Sequence, residues 1–295
     1  MSNELQDDYK SPVSNDEMVR IAKQQYEHKK VSEYKFPTEI IDLPSKGLVY
    51  PTDNPLSSGK VEMKYMTAKE EDILTTQSYI QQGIVLDKLF KALIVSNGEG
   101  VQVKYNDILV GDKNAIMVAA RVLGYGKEYI VNVPDPYNGG EPQEVQIDLA
   151  SLEDKPLHEQ ITKFPNSMEF EYELPISKKR ITFKLMTHGT ERKVEYALKD
   201  LKKVQKRTKD ETDRTMSTRL KHVITAIDGE KDTKEIANFV DQHMLALDSR
   251  AFRKYLGEVT PDINLTFDFI SNETGDEQEV EIPIEVSFFW PDATV

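Results

Sequence analysis

Lys64-Tyr65-Met66-Thr67 recurs later in the chain as Lys184-Leu185-Met186-Thr187. Other matching segments flank both copies in the same order, and the spacing differs only between them, where insertions fall in loops or helix ends. Five paired landmarks in one order are hard to reach by chance, so the sequence predicts two similar tandem domains. The remaining pairs are Leu43-Pro44 with Leu174-Pro175, residues 89–99 with 220–230, residues 109–112 with 245–248, and residues 143–147 with 278–282.

The segments around the repeated stretch predict a short strand followed by helices. Residues 61–65 alternate apolar and polar side chains, as a half-buried strand does. Thr67-x-x-Glu70 is a capping box, which begins a helix. Apolar side chains within 86–94 recur at helical spacing, and we expect Asn97-Gly98 to end that helix.

Each unit is predicted to end with a capped helix and a β-hairpin. We expect Asp112 to cap the helix of the first unit and Asp248 that of the second. Alternating strands around turns at 134–140 and 272–275 predict the hairpins. The fold class that follows is α+β: two similar tandem-duplicated domains, each with short strands, about three helices and a closing hairpin, and an extra N-terminal helix.

The predicted domain boundaries follow from the limits of the repeat. The chain divides into a disordered tail and amphipathic helix at 1–34, repeat unit one at 35–150, a linker at 151–164 and repeat unit two at 165–295. Because duplicated domains present repeated surfaces, this division favours a binding protein over a catalyst.

The N-terminal helix is one candidate interaction element. Ser14-x-x-Glu17 forms another capping box, and Met18, Ile21 and Tyr26 follow at helical spacing on a narrow apolar stripe. This stripe either packs on its own domain or docks on another chain, as an amphipathic helix with few partners in its own sequence does.

The segment Phe288-Phe289-Trp290-Pro291 is the second candidate interaction element and contains the single tryptophan. As a strand, it places Phe288 and Trp290 on one face and Phe289 on the other. It either seals the core of unit two or anchors a partner, because aromatic side chains dominate interface hot spots. The candidate partner-binding residues are therefore Met18, Ile21, Tyr26, Phe288, Phe289, Trp290 and Pro291.

Composition and charge narrow the class of protein. The 295 residues carry a formal net charge of -13, which argues against a nucleic-acid partner because phosphate neutralisation needs a concentrated basic face. The one basic stretch, residues 199–209, is interpreted as a solvated helical arm, with contact to an acidic partner as the alternative. No apolar run is long enough to cross a bilayer, and the acidic N-terminus does not resemble a signal peptide, so we expect a cytoplasmic protein without membrane contact.

The sequence assigns no catalytic, cofactor-binding or metal-binding residues. It has no cysteine, which excludes disulfides and every zinc site that uses cysteine. The five histidines lack metal-ligand spacing, and there is neither a Walker A loop nor a Gly-x-Ser-x-Gly elbow. Carboxylates are so numerous that neighbouring pairs do not identify a glycosidase. We expect no cofactor, no metal and no small-molecule substrate.

Five motifs between Lys35 and Pro291 carry a resemblance to a known family. They are Leu43-Pro44-Ser45-Lys46-Gly47, residues 64–74, residues 110–115, residues 124–129 and Phe288-Phe289-Trp290-Pro291. In these motifs the chain is similar to the baseplate hub and hub-assembly proteins of T-even-type (T4-like) contractile-tailed bacteriophages. Some relatives carry cysteine pairs in the hairpins. This chain lacks them, so no metal is expected there.

The resemblance implies a late viral protein that helps to build the central hub of the tail baseplate by protein–protein binding. Its partners are then other baseplate hub and tail proteins. It acts either as a structural subunit kept in the virion tail baseplate or as an assembly chaperone in the host cytoplasm. The alternative is a hub-associated enzyme such as a cell-wall hydrolase, which predicts a cleft with paired carboxylates of perturbed pKa.

Overall fold

Small antiparallel sheets alternate with helices along the chain, in the mixed α+β arrangement that the sequence predicts. The residues from Thr38 onward group by their contacts into one unit. The computed structural model describes residues 36–134, 142–208, 212–272, 274–284 and 288–290.

The first half, residues 38–148, begins with a three-stranded sheet in the order β1-β2-β3. Three helices connect β2 to β3, and a longer helix leads into a closing hairpin. The elements are β1 (Thr38–Asp42), β2 (Lys60–Lys64), α1 (Ala68–Thr75), α2 (Gln77–Gln82), α3 (Val85–Leu93), β3 (Ile94–Ser96), α4 (Val110–Tyr125), β4 (Glu128–Val133) and β5 (Gln143–Asp148).

Local sequence explains how β2 and α1 form. Val61 and Met63 are fully buried and alternate with polar neighbours, so one face of β2 lies on the core. Thr67 N donates to Glu70 Oε2 at 3.2 Å, which confirms the predicted capping box at the start of α1. Glu70 also accepts a hydrogen bond from Lys64 Nζ at 2.8 Å, so the strand and the helix are held at a fixed angle.

The second half, residues 169–281, follows a similar order. Its first sheet also has three antiparallel strands, in the order β6-β7-β8, and it ends in a hairpin. Two helices lie between its second and third strands, and after the third strand a short helix precedes the helix that leads into the hairpin. The elements are β6 (Glu169–Glu173), β7 (Arg180–Lys184), α6 (His188–Thr208), α7 (Thr215–Val223), β8 (Ile224–Ile227), α8 (Thr233–Asn238), α9 (Ala246–Val259), β9 (Thr266–Ile270) and β10 (Glu277–Glu281).

The sheets of the two halves share an irregularity. The pairing of β2 with β3 shifts register between Glu62 and Met63, and that of β7 with β8 shifts between Thr182 and Phe183. Both shifts fall one residue before the lysine that opens the repeated stretch. A bulge strengthens the local twist of a strand, so both sheets bend at the same point.

The predicted end of the helix in the first half is wrong, and the second half changes in the same way at the matching place. The apolar run expected to stay helical up to Asn97 changes at Ile94 into β3, and the corresponding run changes at Ile224 into β8. The side chains of such a run fit a helix or a short buried strand equally well. The free edges of β2 and β7 decide the outcome, because pairing with them satisfies backbone groups that the end of a helix leaves open.

The connection between the halves is packed against the second half. Lys155 N donates to Asp262 O at 2.8 Å, and Asn264 N donates to Glu153 O at 2.7 Å. A short helix, α5 (Glu159–Lys163), follows and buries Ile161. The linker at 151–164 therefore contains ordered structure rather than a free tether.

The segment Phe288-Phe289-Trp290 packs aromatic rings against the first half. The Phe288 ring lies 5.1 Å from that of Tyr129, and the Phe289 ring lies 6.1 Å from that of Phe90. These three residues form a turn, not the strand that the sequence predicts. Two adjacent phenylalanines are both buried because the turn lets the neighbouring rings point into one core.

Candidate functional site

A buried carboxylate ties the Leu-Pro loop of the first half to the start of a helix. Asp112 accepts hydrogen bonds from Ser45 N (2.9 Å), Ser45 Oγ (2.8 Å) and the Tyr50 hydroxyl (2.6 Å). The Tyr50 oxygen accepts the N–H of Leu109 at 2.9 Å, directly before α4. Because these groups are hidden from solvent, the loop and the helix depend on one another for hydrogen bonds.

Asp248 makes the corresponding connection in the second half. Its carboxylate accepts the backbone N–H groups of Ile176 (2.8 Å) and Ser177 (3.0 Å), which directly follow the second Leu-Pro pair. Asp112 and Asp248 are both completely buried. The two halves therefore use the same residue type, at matched places in the repeat, to hold the same loop.

The prediction that these aspartates are helix N-caps is wrong. Leu109 and Leu245 occupy the cap positions of α4 and α9, and each aspartate lies in the first turn. The loop N–H and O–H groups compete with the helix for the carboxylate, as short polar side chains often allow. Burial raises the pKa of Asp112, whereas in Asp248 the backbone N–H groups of the loop outweigh burial and lower the pKa.

The two halves meet at what we term the joint, formed by residues 108–110, which lead into α4, and residues 186–188, which lead into α6. Val110 N donates to Met186 O at 3.0 Å, and His188 N donates to Ile108 O at 2.8 Å, so the segments pair like two very short antiparallel strands. Ile108 and Leu109 are fully buried. Backbone pairing and apolar burial together fix how the halves meet.

Contacts beside the joint leave no space for larger side chains. A Cβ atom on Gly111 would lie 1.8 Å from Pro261 O. Next to it, Asn114 Nδ2 donates to Asp262 Oδ1 at 3.0 Å. Gly111 therefore serves this structure because its missing side chain lets α4 approach the loop that follows α9.

Ionisable side chains from three helices surround the joint. His188 Nε2 lies 3.4 Å from an Asp87 carboxylate oxygen, and its Nδ1 lies 3.7 Å from Glu191. Lys113 pairs with Glu191, and Arg192 lies 3.9 Å from Asp87. Cationic and anionic side chains alternate in this cluster, so each of the two carboxylates has cationic neighbours.

These neighbours move the pKa values toward the charged forms. The contact with His188 and the Lys113 ammonium outweigh burial and lower the pKa of Glu191 to about 2. Burial lowers the pKa of His188, but the Asp87 and Glu191 carboxylates outweigh it and hold that pKa above its ordinary value. Burial raises the pKa of Asp87, but His188 and Arg192 outweigh burial and hold that pKa below its ordinary value. The cluster is therefore a set of mutually stabilised charges.

An open groove of about 450 Å³ runs beside this cluster and is lined by Phe90, Tyr105 and Met117 among others.

Within the described ranges, no group of three or more histidine, aspartate or glutamate residues is arranged to hold a metal ion. None of the helices in that same part of the chain combines the length and apolar character that a bilayer span requires.

The structure places some of the sequence-predicted interaction residues and not others. Phe288 and Phe289 are 0% and 2% exposed, and Trp290 is partly buried against the same core. Contact of these three with a partner stays a prediction. Met18, Ile21, Tyr26 and Pro291 lie outside the described residues.

Sequence reasoning missed the residues that hold the joint. Asp87, Lys113 and Glu191 look like ordinary charges on amphipathic helices, and nothing local indicates that they meet. Gly111, within the Val110-Gly111-Asp112 motif, is the available signal, because a glycine in a helix needs a packing or conformational reason.

Comparison with known proteins adds the family. The family described as T4 bacteriophage base plate protein matches residues 48–290, which is most of the chain and includes both buried aspartates and both sides of the joint. No curated protein and no solved structure matches. The chain therefore belongs to the T4 bacteriophage base plate protein family.

Proposed function

We propose that this protein helps to assemble the central hub of the phage tail baseplate by binding other tail proteins. The family match over residues 48–290 carries this proposal, because it places the chain among baseplate proteins. The hub-type motifs at 43–47, 64–74 and 288–291 support the finer assignment. Its site of action is then the host cytoplasm during assembly, the virion tail, or both in succession.

We also propose that an ancestral unit was duplicated. The support is the matching element order, the register shift at the same place in both sheets, and the pair of buried aspartates that hold the Leu-Pro loops. Independent origin would have to reproduce all three features. Duplication gives a binding protein two related surfaces on one chain.

We propose further that the protein acts without catalysing a reaction. The ionisable cluster at the joint supports this, because its charged side chains are paired with one another across three helices, as structural ion pairs are. Clearance of peptidoglycan in a zymogram by the purified protein would favour the alternative, a hub-associated cell-wall hydrolase.

A pull-down from cells that express the neighbouring tail proteins tests the proposed binding. We expect the full chain to capture at least one hub component, and a variant without residues 1–30 to stay folded and to capture less of it. If the full chain captures no tail protein, the proposal is wrong. If the truncated chain unfolds, the N-terminal helix belongs to its own core.

Mass spectrometry of purified phage particles separates the two forms of the proposal. A structural subunit remains in the particle, whereas an assembly chaperone is present in infected cells and absent from particles. The two forms share the same binding chemistry, so only the particle composition distinguishes them.

A further inference from the structure

Each of the two segments that form the joint has a counterpart in the other half of the chain. In the described structure these two counterparts do not pair with each other. Position by position, residues 108–110 correspond to 244–246, which lead into α9, and residues 186–188 correspond to 66–68, which lead into α1. We term 244–247 the outer edge and 66–68 the receiving segment. The backbone of the outer edge is already shaped like that of the joint: Leu109 has φ -61° and ψ 151°, and Leu245 has φ -66° and ψ 146°.

The outer edge is exposed where its counterpart is buried. Leu109 is fully buried in the joint, but Leu245 is 47% exposed and Leu247 is 65% exposed. The N–H groups of Ala246 and Ala68, which correspond to the two donors of the joint, have no acceptor among the described residues. Leu245 and Leu247 together expose apolar surface at the start of α9, beside an N–H group that is free to pair with another chain.

We propose that a second copy of this chain covers the outer edge, through its own receiving segment. Ala246 N of one copy then donates to Met66 O of the next, and Ala68 N of that copy donates back to Met244 O. This is the pairing that the joint already makes within the chain. The inference rests on the duplication proposed above, because the duplication is what makes the two pairs of segments equivalent.

Charge on the two surfaces fits this occupant. In the joint, Lys113 of α4 pairs with Glu191 of α6. The residues that follow the outer edge include the exposed Arg250, and the receiving segment is followed by the exposed Glu71. By the register of the repeat, Glu71 stands at the place of Glu191 and Ser249 at the place of Lys113. Arg250, the next residue along α9, supplies the positive charge that the proposed contact places near Glu71.

The contact between copies differs from the joint in one respect. Leu247 stands where the joint has Gly111. Because Pro261 leaves no room for a side chain at Gly111, the two surfaces of the proposed contact must lie farther apart than those of the joint. By the same register the counterpart of Pro261 is Tyr125, a partly buried ring at the end of α4. A leucine against an aromatic ring supplies apolar burial in place of a close backbone contact.

The geometry makes the association head-to-tail. The outer edge and the receiving segment are different surfaces of one chain, so each copy uses one to hold the next copy and leaves the other for a third. Such contacts form a closed ring when the rotation between copies closes and an open fibre when it does not.

Sedimentation of the purified full-length chain tests the proposal, at concentrations up to about 100 µM, where weak specific interfaces become populated, and at about 0.15 M salt to screen the net charge. We expect species larger than a monomer. Leu247→Asp weakens association by about tenfold or more, because it places a charge at the centre of the contact. Val204→Asp, at an exposed apolar position on α6, leaves association unchanged.

A charge exchange tests the pairing itself. Glu71→Arg and Arg250→Glu each weaken self-association, since each places like charges across the contact. A mixture of the two variants restores association, because each contact between unlike copies again places an arginine opposite a glutamate. A chain that stays monomeric throughout, equal effects of Leu247→Asp and Val204→Asp, or a mixture that does not associate would each overturn the proposal. Capture of tail proteins in the pull-down is independent of these outcomes.

Discussion

At the scale of single residues, two buried carboxylates and one glycine hold the fold at places where the halves and loops meet. Asp112 supplies acceptors for three donors, and Asp248 supplies acceptors for two. Gly111 contributes by having no side chain, which lets α4 contact the loop that follows α9. The protein therefore has positions where small chemical changes have large structural cost.

Replacing Asp112 with alanine tests the loop connection. The variant leaves the Ser45 and Tyr50 donors buried without an acceptor, so we expect the free energy of unfolding to fall by about 2–4 kcal/mol. Urea denaturation at neutral pH measures this. Asp200→Ala, which removes an exposed carboxylate on α6 paired with Lys203, serves as the control and should cost less than about 0.5 kcal/mol.

Replacing Gly111 with alanine tests the packing beside the joint. The added methyl group meets Pro261 O, so we expect a loss of about 1–3 kcal/mol of stability by thermal or urea unfolding. Gly257→Ala in α9 is the matched control, because a Cβ atom there meets nothing within 4 Å. We expect the control to be neutral or to gain up to about 1 kcal/mol from helix propensity. Equal effects of the two variants would contradict the packing argument.

At the scale of elements, helices α3, α4 and α6 are held together by the charge cluster around His188. The raised pKa of His188 means that its stabilisation is complete below its unfolded pKa and is lost as the pH rises through its folded pKa. The lowered pKa of Glu191 acts oppositely: its stabilisation is present above its unfolded pKa and is lost as the pH falls toward about 2. The contribution of this cluster to stability should therefore decline on both sides of a mildly acidic optimum.

One variant tests the loss of stability that we expect when His188 loses its proton at rising pH. In His188→Asn the decline in the free energy of unfolding between about pH 6 and pH 8 should become smaller, because the titrating group is gone. His243→Asn, which removes an exposed histidine beside the outer edge, should keep the slope of the original protein. A slope that is unchanged in His188→Asn would show that another group causes it.

The segment around Phe289 belongs energetically to the first half. Phe289→Ala should cost about 3–5 kcal/mol, as the loss of a buried aromatic side chain does. Hydrogen exchange should rise first at α3 and β4, where Phe90 and Tyr129 contact the segment. Exchange that rises first in β6 and β7 would instead support the sequence prediction that this segment seals the second half.

Sequence patterns predicted the elements better than their connections. Alternation gave β2, the capping box gave α1, and turn composition gave both hairpins, because each signal is local. The strand β3 was missed because only pairing with β2 makes Ile94 extended rather than helical. Of the site, the repeat marked Asp112 and Asp248 as equivalent, but their partners and the cluster around His188 depend on long-range packing that a single sequence does not display.

At the scale of the whole molecule, the halves share one hydrophobic core and should unfold together. Leu89→Ala in the first half and Phe252→Ala in the second should each lower the midpoint of a single thermal transition, rather than split it in two. Scanning calorimetry distinguishes these outcomes. Two separable transitions would show that the joint couples the halves only weakly.

The packing of Phe288 and Phe289 on Tyr129 and Phe90 has a consequence for synthesis. The first half leaves the ribosome long before the aromatic residues that complete its core, so it stays partly finished until residues 288–290 have been synthesised. A polypeptide whose translation stops early therefore never acquires a finished first half. Incomplete copies keep part of that core exposed to solvent, which makes them targets for chaperones and proteases.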